Sequence, residues 1–216
     1  MADVFISGGT GYLGRNLIPR LLERGHVVRS IVRRGSEGKL PPGCGAVTAD
    51  ALDAATFANT IAPASTFIHL TGTPRPAPWK ERQFRAIDKP SLEASVDAAV
   101  RCGSIRHFIY VSVAQPAPVM RAYIAVRQEC EEYLARRIAV RTVLRPWYVL
   151  GPGHWWPYAI KPFYALAPRE AGERLGLVTL EEMTAAMVEA VENPPSDSRI
   201  IDVPAIRLAG MALRKS

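Results

Sequence analysis

The chain has 216 residues, of which 48% are hydrophobic and 22% are charged, and its formal net charge at pH 7 is +7. This length fits a single domain from residue 1 to residue 216, and the apolar content is sufficient for a sizeable core. The basic residues are scattered from Arg15 to Arg214 without an aromatic and basic sheet signature, so we expect a basic surface that attracts an anionic ligand rather than a nucleic-acid-binding protein.

The first predicted unit is a strand, a glycine-rich turn and a helix. The apolar run from Val4 to Ile6 leads into Gly8, Gly11 and Gly14, and helical spacing continues to about Glu23. Gly8 permits a tight turn, Gly11 permits the close approach of a phosphate, and Gly14 permits close packing of the helix on the strand. Such a turn presents backbone N–H groups and the positive end of the helix dipole to a pyrophosphate. The segment therefore predicts a dinucleotide site.

The rest of the chain alternates strands with helices. Strands are predicted at residues 27–32, 46–48, 66–70, 108–111, 140–144 and 200–203, and helices at residues 53–59, 91–101, 122–136 and 180–192. Thr179 and Glu182 form a capping box that marks the start of the last helix. This alternation predicts an α/β fold, namely a doubly wound parallel sheet with a short C-terminal cap.

Two separate motifs resemble those of one enzyme superfamily. The spacing Gly-x-x-Gly-x-x-Gly from Gly8 to Gly14 is similar to that of the short-chain dehydrogenase/reductase superfamily, in its extended and atypical branches. The segment from Arg145 to Gly153 resembles the arginine-proline and glycine-proline pairs that these proteins carry beside the nicotinamide. The chain is most similar to the atypical group, which includes NmrA-like regulators, epimerase/dehydratase-like proteins and an accessory subunit of respiratory complex I. The resemblance implies a Rossmann-type NAD(P)-binding domain.

The resemblance also implies which residues hold the cofactor. They are Gly8, Thr10, Gly11, Tyr12, Leu13, Gly14, Arg33, Asp50, Ala51, Leu70, Thr71, Gly72, Pro146 and Trp147. The second strand ends in Arg33 and Arg34 without a carboxylate, so we expect NADP, whose 2′-phosphate a guanidinium suits, rather than NAD. Two solvated loop arginines are the alternative. Asp50 matches the position whose carboxylate accepts from the adenine amino group, and a simple turn or cap aspartate is the alternative.

The catalytic residues of the superfamily are matched only in part. A tyrosine there transfers the proton, a lysine four residues later lowers the pKa of that tyrosine and binds the ribose, and a serine orients the substrate. Tyr123 matches the tyrosine, while Arg127 replaces the lysine and keeps its charge and ribose hydrogen bonds without the ability to shuttle protons. Ser112 is the candidate serine, with Val113 as the alternative position on the opposite face of the strand. A Tyr123 that only packs on the cofactor is a further alternative.

The residues from about 151 to 180 lie where the superfamily places its substrate lid. The stretch from His154 to Ala167 is rich in aromatic residues, which suits an apolar or planar substrate. A partner subunit, a membrane surface or a small satellite core are alternative contacts for these rings. We expect an NADP-dependent oxidoreductase acting on a small carbonyl or quinone-like substrate. The alternative is a catalytically weak NAD(P)H-binding sensor or assembly protein, and sugar-nucleotide epimerisation ranks behind both.

The expected setting is the cytoplasm. Cys44, Cys102 and Cys130 have neither disulfide nor metal-ligand spacing, so we expect reduced thiols. The four histidines are dispersed, no metal site is expected, and His69 is interpreted as a packed core residue. We expect no signal peptide and no membrane span. The oligomeric state is not predicted.

Overall fold

The computed structural model describes residues 1–117, 119–152 and 175–213, which contain nine β-strands and six α-helices. The strands are β1 Asp3–Ser7, β2 Val27–Val32, β3 Gly45–Thr48, β4 Thr66–His69, β5 His107–Val111, β6 Arg141–Leu144, β7 Tyr148–Leu150, β8 Leu177–Thr179 and β9 Ser198–Ile201. The helices are α1 Tyr12–Glu23, α2 Glu81–Gln83, α3 Lys89–Cys102, α4 Arg121–Arg137, α5 Leu180–Glu192 and α6 Val203–Leu213. A π-helical turn, Phe84–Asp88, joins α2 to α3.

Seven of these strands form one parallel sheet in the order β3-β2-β1-β4-β5-β6-β9, and this confirms the predicted doubly wound sheet. The chain adds strands from β1 outward to β3, and it then crosses back to β4 and continues outward in the other direction. The strand order therefore reverses between β1 and β4. In an open parallel sheet, ligands bind outside the carboxyl ends of the strands at such a switch point.

The central strands bury side chains on both faces. Val4 and Ile6 belong to the core cluster that includes α1, α5 and α6, whereas Phe5 between them belongs to the cluster that includes α3 and α4. Phe5, Phe67 and Phe108 share one register on β1, β4 and β5, and their ring centroids lie 5.5 and 5.0 Å apart. The three rings form one continuous aromatic layer beneath the switch point.

The turn after β1 depends on two close backbone approaches. Gly8 has φ +85°, and a Cβ there would lie 2.7 Å from the carbonyl carbon of Leu70, the residue directly after the neighbouring strand β4. A Cβ on Gly14 would lie 2.5 Å from the Cα of Gly9. Gly8 therefore allows the turn beside β4, and Gly14 seats α1 against that turn.

The segment predicted as a helix over residues 53–59 has a different structure. It forms two 3₁₀ turns, Ala54–Thr56 and Ala58–Thr60. Asp53 caps the first turn, because its carboxylate accepts a hydrogen bond from the backbone N–H of Ala55 at 2.9 Å. Thr60 closes the second turn through its hydroxyl, which donates to the carbonyl of Phe57. These local side-chain bonds favour short turns over a continuous helix.

Near the C-terminus, the last strand lies two residues earlier than predicted, and a helix that was not predicted follows it. The strand predicted at 200–203 is β9, which ends at Ile201. Asp202 then stops the strand, because its carboxylate accepts from the N–H of Ala205 in the first turn of α6. Pro204 suits this first turn, where a helix needs no backbone N–H. The sequence analysis did not predict α6.

The predicted lid lies mainly outside the described residues, as does the whole aromatic stretch from His154 to Ala167. The end of the lid range is β8, which pairs in parallel with β7. The predicted capping box is confirmed: the Thr179 hydroxyl accepts from the N–H of Glu182, and the Glu182 carboxylate accepts from the N–H of Thr179. In the three described ranges, no helix has the length and hydropathy needed to cross a bilayer.

The contact of Gly14 with the turn predicts a loss of stability when a methyl group is added. We expect Gly14→Ala to lower the free energy of unfolding by about 1–3 kcal/mol, because the overpacked helix must shift away from Gly9. Urea denaturation followed by circular dichroism measures the change. Gly38→Ala is the matched control, since its Cβ would meet no atom within 4 Å. Equal unfolding midpoints for the two variants would contradict the close approach.

Candidate functional site

A cavity of about 280 Å³ lies at the switch point of the sheet. Residues that follow the carboxyl ends of β1, β4, β5 and β6 line it, together with side chains from α4. The structure thereby brings together ten residues that the sequence analysis singled out: Tyr12, Leu13, Leu70, Thr71, Gly72, Ser112, Tyr123, Arg127, Pro146 and Trp147. Val113, the alternative to Ser112, lines the same cavity.

The glycine loop offers a cradle beside this cavity. Gly11 is the N-cap of α1, and its N–H donates to the carbonyl of Gly8 at 3.0 Å, with Thr10 inside the same turn. A Cβ on Gly11 would approach only that carbonyl oxygen, at 3.1 Å, so the outer side of the turn is open. The first turn of α1 contains no acidic residue. First-turn N–H groups have no partner within a helix, so this loop fits a diphosphate.

The ends of β2 and β3 carry the predicted adenosine contacts. Arg33 is exposed immediately after β2, and no carboxylate neutralises it among the described residues. One oxygen of Asp50 accepts from the N–H of Leu52 at 2.9 Å, so the turn interpretation accounts for that oxygen. Asp50 is exposed and Ala51 is half-buried beside it. The 2′-phosphate and adenine contacts stay predictions.

Glu37 is a carboxylate at this rim that the sequence analysis did not single out. Its Oε1 accepts from the hydroxyl of Thr48 at the end of β3, at 3.1 Å. Hydrogen bonds from its own backbone and from Thr48 lower the pKa of Glu37. The signal in the sequence is an acid four residues after Arg33, in the same loop.

A buried ion pair joins α4 to the π-helical turn that precedes α3. Nη2 of Arg127 lies 2.7 Å from Oδ1 of Asp88, and the two side chains are 8% and 0% exposed. The second oxygen of Asp88 accepts from both the N–H and the hydroxyl of Thr73. Gly72 leaves room for the pair, because a Cβ there would lie 2.8 Å from Nη2 of Arg127. The pair thus fixes the floor of the cavity.

The remaining contacts of Arg127 hold the guanidinium against two tyrosines. Its Nη1 donates to the Tyr110 hydroxyl at 3.0 Å and to the carbonyl of Val111 at 3.2 Å. The guanidinium carbon lies 4.9 Å from the centroid of the Tyr123 ring, which is cation–π distance. Both terminal nitrogens are engaged by protein atoms, and the buried Nε has no hydrogen-bond partner within the described ranges. The ribose contact of Arg127 stays a prediction.

Tyr123 lies at the cavity wall and remains protonated at neutral pH. Burial raises the pKa of its hydroxyl; the charge of Arg127 lowers it but does not compensate, and Asp88 adds a further rise. The ring packs on Phe84 from the π-helical turn, with centroids 4.8 Å apart. Tyr123 is therefore a hydrogen-bond and proton donor, whereas its phenolate is disfavoured.

Ser112 is held by a polar network behind the cavity. Its hydroxyl donates to Oε1 of Glu131, which also accepts from Gln115. Arg145 forms a two-point ion pair with the same carboxylate through its Nε and Nη2. The hydroxyl proton of Ser112 is thus directed toward Glu131. Val113 presents an apolar side chain to the cavity from the next position.

Asp88 and Glu131 are the functional neighbours that sequence reasoning missed. Neither belongs to a recognised motif, and Asp88 lies 39 residues before its partner. A usable signal was present on α4, where Arg127 follows the buried Ile124 and Val126. An arginine on the buried face of a helix requires a buried carboxylate, because an unpaired charge there is very costly.

The ion pair predicts a specific stability defect. We expect Asp88→Asn to lower the free energy of unfolding by about 3–5 kcal/mol, because the charge of Arg127 then stays buried without its counter-charge. Glu129→Gln is the matched control, because it breaks the ion pair between Glu129 and Lys89. Both of these side chains are 37% exposed, so the substitution should lower the free energy of unfolding by at most about 1 kcal/mol. Urea denaturation measures both changes. Equal losses in the two variants would contradict the special role of the buried pair.

Comparison with known proteins agrees with this geometry. A family model described as NAD(P)H-binding matches residues 8–194. Among solved structures, the fold is similar to that of the Bordetella bronchiseptica enzyme WbmH in complex with NAD⁺, with a TM-score of 0.71 and 19% identity over 100% of this chain and 81% of that one. It is also similar to MoeE5 in complex with UDP-glucuronic acid and NAD, with a TM-score of 0.71 and 16% identity, covering 99% of this chain and 82% of that one.

Curated relatives are matched over parts of their length. A 3β-hydroxysteroid dehydrogenase/Δ5→4-isomerase of Mycobacterium tuberculosis is 30% identical over 119 residues, which are 52% of this chain and 32% of that protein. A ceramide reductase of Caulobacter vibrioides is 24% identical over 197 residues, which are 88% of this chain and 61% of that protein. The chain therefore spans about a third to three-fifths of these relatives. With the glycine loop, the parallel sheet and the family match, the chain belongs to the NAD(P)H-binding family of the extended short-chain dehydrogenase/reductase superfamily.

Proposed function

We propose that this protein is an NADPH-dependent reductase of a small carbonyl or quinone-like compound. The observation that carries the proposal is the position of Tyr123: a protonated phenol lines an apolar cavity at the switch point, beside the glycine loop. A reductase and a dehydrogenase among the curated relatives support oxidoreductase chemistry.

The dinucleotide would lie across the carboxyl edge of the sheet. The glycine loop and the first turn of α1 would hold its diphosphate, and the exposed Arg33 would fork onto the 2′-phosphate. Leu70 to Gly72 and the Pro146–Trp147 segment would border its ribose and nicotinamide. When bound, the reduced dinucleotide supplies the hydride.

Tyr123 would complete the reduction by donating its hydroxyl proton to the substrate oxygen. At neutral pH the phenol carries the proton that this step requires. Arg127 would keep the ring in place, since its guanidinium packs on the ring face and is itself anchored by Asp88.

The cavity walls favour a substrate with an apolar body. Leu13, Val111, Val113 and Trp147 contribute hydrophobic side chains, and Pro146 contributes a rigid one. Burial of the reacting oxygen in such walls strengthens its hydrogen bond to Tyr123.

One pair of observations favours a second candidate, a dinucleotide-binding sensor or assembly protein with little turnover. The charge of Arg127 is neutralised by Asp88, and the hydroxyl proton of Ser112 is directed to Glu131. Two of the three groups that the superfamily uses around the substrate are therefore engaged elsewhere in the protein.

Turnover separates the two candidates. We expect the purified protein to oxidise NADPH with quinones or aromatic aldehydes, and Tyr123→Phe to lower kcat by about 10²-fold or more, because the proton donor is lost. Absorbance at 340 nm measures the rate, and calorimetry measures the coenzyme Kd, which should stay unchanged. Tyr133→Phe is the matched control on the same helix, where Tyr133 contacts Asp97. Tight NADPH binding without any oxidation would instead support the sensor.

Coenzyme preference depends on Arg33. We expect Arg33→Ala to weaken NADPH binding by about 10- to 100-fold and to leave NADH binding nearly unchanged, since only NADPH carries the 2′-phosphate. Calorimetric titration of both coenzymes measures the two affinities. Arg82→Ala, at an exposed arginine on α2, is the control. Equal affinities for both coenzymes in the wild type and in Arg33→Ala would reject the NADP preference, and a wild-type preference for NADH would point to Glu37 instead.

A further inference from the structure

We propose that Arg75 selects substrates that carry an anionic group, such as a carboxylate or a sulfonate, beside the reducible carbonyl. The proposal rests on the proposed function, because it names the substrate class of the same cavity. Arg75 would then determine substrate specificity. The expected substrate would be an anion with an apolar body rather than a wholly apolar molecule.

Arg75 lies in the loop after β4, at the cavity that holds Tyr123. Its backbone is left-handed, with φ +48°, in the sequence Pro74-Arg75-Pro76. This conformation is uncommon for a non-glycine residue and is maintained by its surroundings. Lys80 supplies part of that support: its ammonium donates to the carbonyl of Pro74 at 2.7 Å, and its N–H donates to Ala77. The loop thus holds Arg75 at the cavity.

The described side chains that line the cavity carry more positive than negative charge. Of the described residues that line it, only Arg75 and Arg127 carry a formal charge. Asp88 neutralises Arg127 through the buried ion pair. Arg75 forms no ion pair with any carboxylate in the described ranges, and it is exposed at the rim. The cavity therefore presents one uncompensated positive charge above apolar walls.

An anionic group is the ligand that such a charge recognises. A guanidinium binds a carboxylate or a sulfonate through two parallel hydrogen bonds, and the apolar walls on one side reduce the screening by water. An apolar substrate body would then fill the cavity, with its carbonyl near Tyr123 and its anionic group at Arg75. A phosphate of the coenzyme is the other source of this chemistry. In the proposed function, the glycine loop and Arg33 hold those phosphates at the ends of β1 and β2, so a substrate is the favoured ligand of Arg75.

The test uses matched pairs of compounds that differ in charge. One pair is 4-carboxybenzaldehyde and its methyl ester, and the other is 1,2-naphthoquinone-4-sulfonate and 1,2-naphthoquinone. We expect Arg75→Gln to raise KM for the anionic members about tenfold and to leave KM for the neutral members and kcat nearly unchanged. Arg75→Lys should restore most of the difference, because it restores the charge. Arg82→Gln, at an exposed arginine that does not line the cavity, is the control.

Binding without turnover keeps this proposal separate from the proposed function. Calorimetry with 4-acetylbenzoate or its methyl ester, added to the protein with NADP⁺, reports recognition when no hydride is available. Selective binding of the anion that Arg75→Gln abolishes supports the proposal even if no reduction is ever detected. Reduction that Arg75→Gln alters equally for both members of each pair overturns the proposal and leaves the reductase intact. A weaker coenzyme Kd in Arg75→Gln with unchanged KM values overturns it in favour of a coenzyme phosphate.

Discussion

The buried ion pair between Asp88 and Arg127 is the interaction on which the rest of the site depends. It joins α4 to the π-helical turn before α3, and Asp88 also accepts from Thr73 in the loop after β4, which forms the floor of the cavity. A larger residue at position 72 would displace the pair, because a Cβ there would lie 2.8 Å from Nη2 of Arg127. A buried pair contributes little net stability when it is compared with apolar packing, but the loss of one partner is very costly. The pair therefore specifies one arrangement of these elements.

The same pair changes the chemistry of the tyrosine. A lysine beside Tyr123 would place a compact charge near the phenol and favour the phenolate. Arg127 instead places a planar group on the ring face, with its charge balanced by Asp88. The burial of Tyr123 then decides the direction of its pKa shift, which is upward. With arginine in place of lysine, Tyr123 is thus a buried and protonated phenol at the cavity wall.

Local patterns in the sequence were sufficient for the sheet and for the glycine loop. The buried strands are recognisable in the sequence as short apolar runs. The segment from Gly8 to Gly14 follows the end of a strand and contains a turn and the start of a helix. Prediction failed where side chains override the pattern, as in the 3₁₀ turns capped by Asp53 and in α6 after Asp202. The ion-pair partner of Arg127 could not be predicted from the sequence for another reason. Asp88 becomes its neighbour only when the sheet brings β4 and β5 together, and no local spacing records that contact.

Two carboxylates account for how the site differs from its superfamily. Asp88 engages Arg127, and Glu131 engages Ser112, so both groups are fixed by the protein. In the proposed function, the phenol of Tyr123 donates the proton and the guanidinium of Arg75 offers a positive charge at the rim of the same cavity. A substrate that satisfies both needs a carbonyl and an anionic group on one small apolar frame. In this proposal, the charge of Arg75 orients the substrate, which is the role that a free serine hydroxyl would otherwise have.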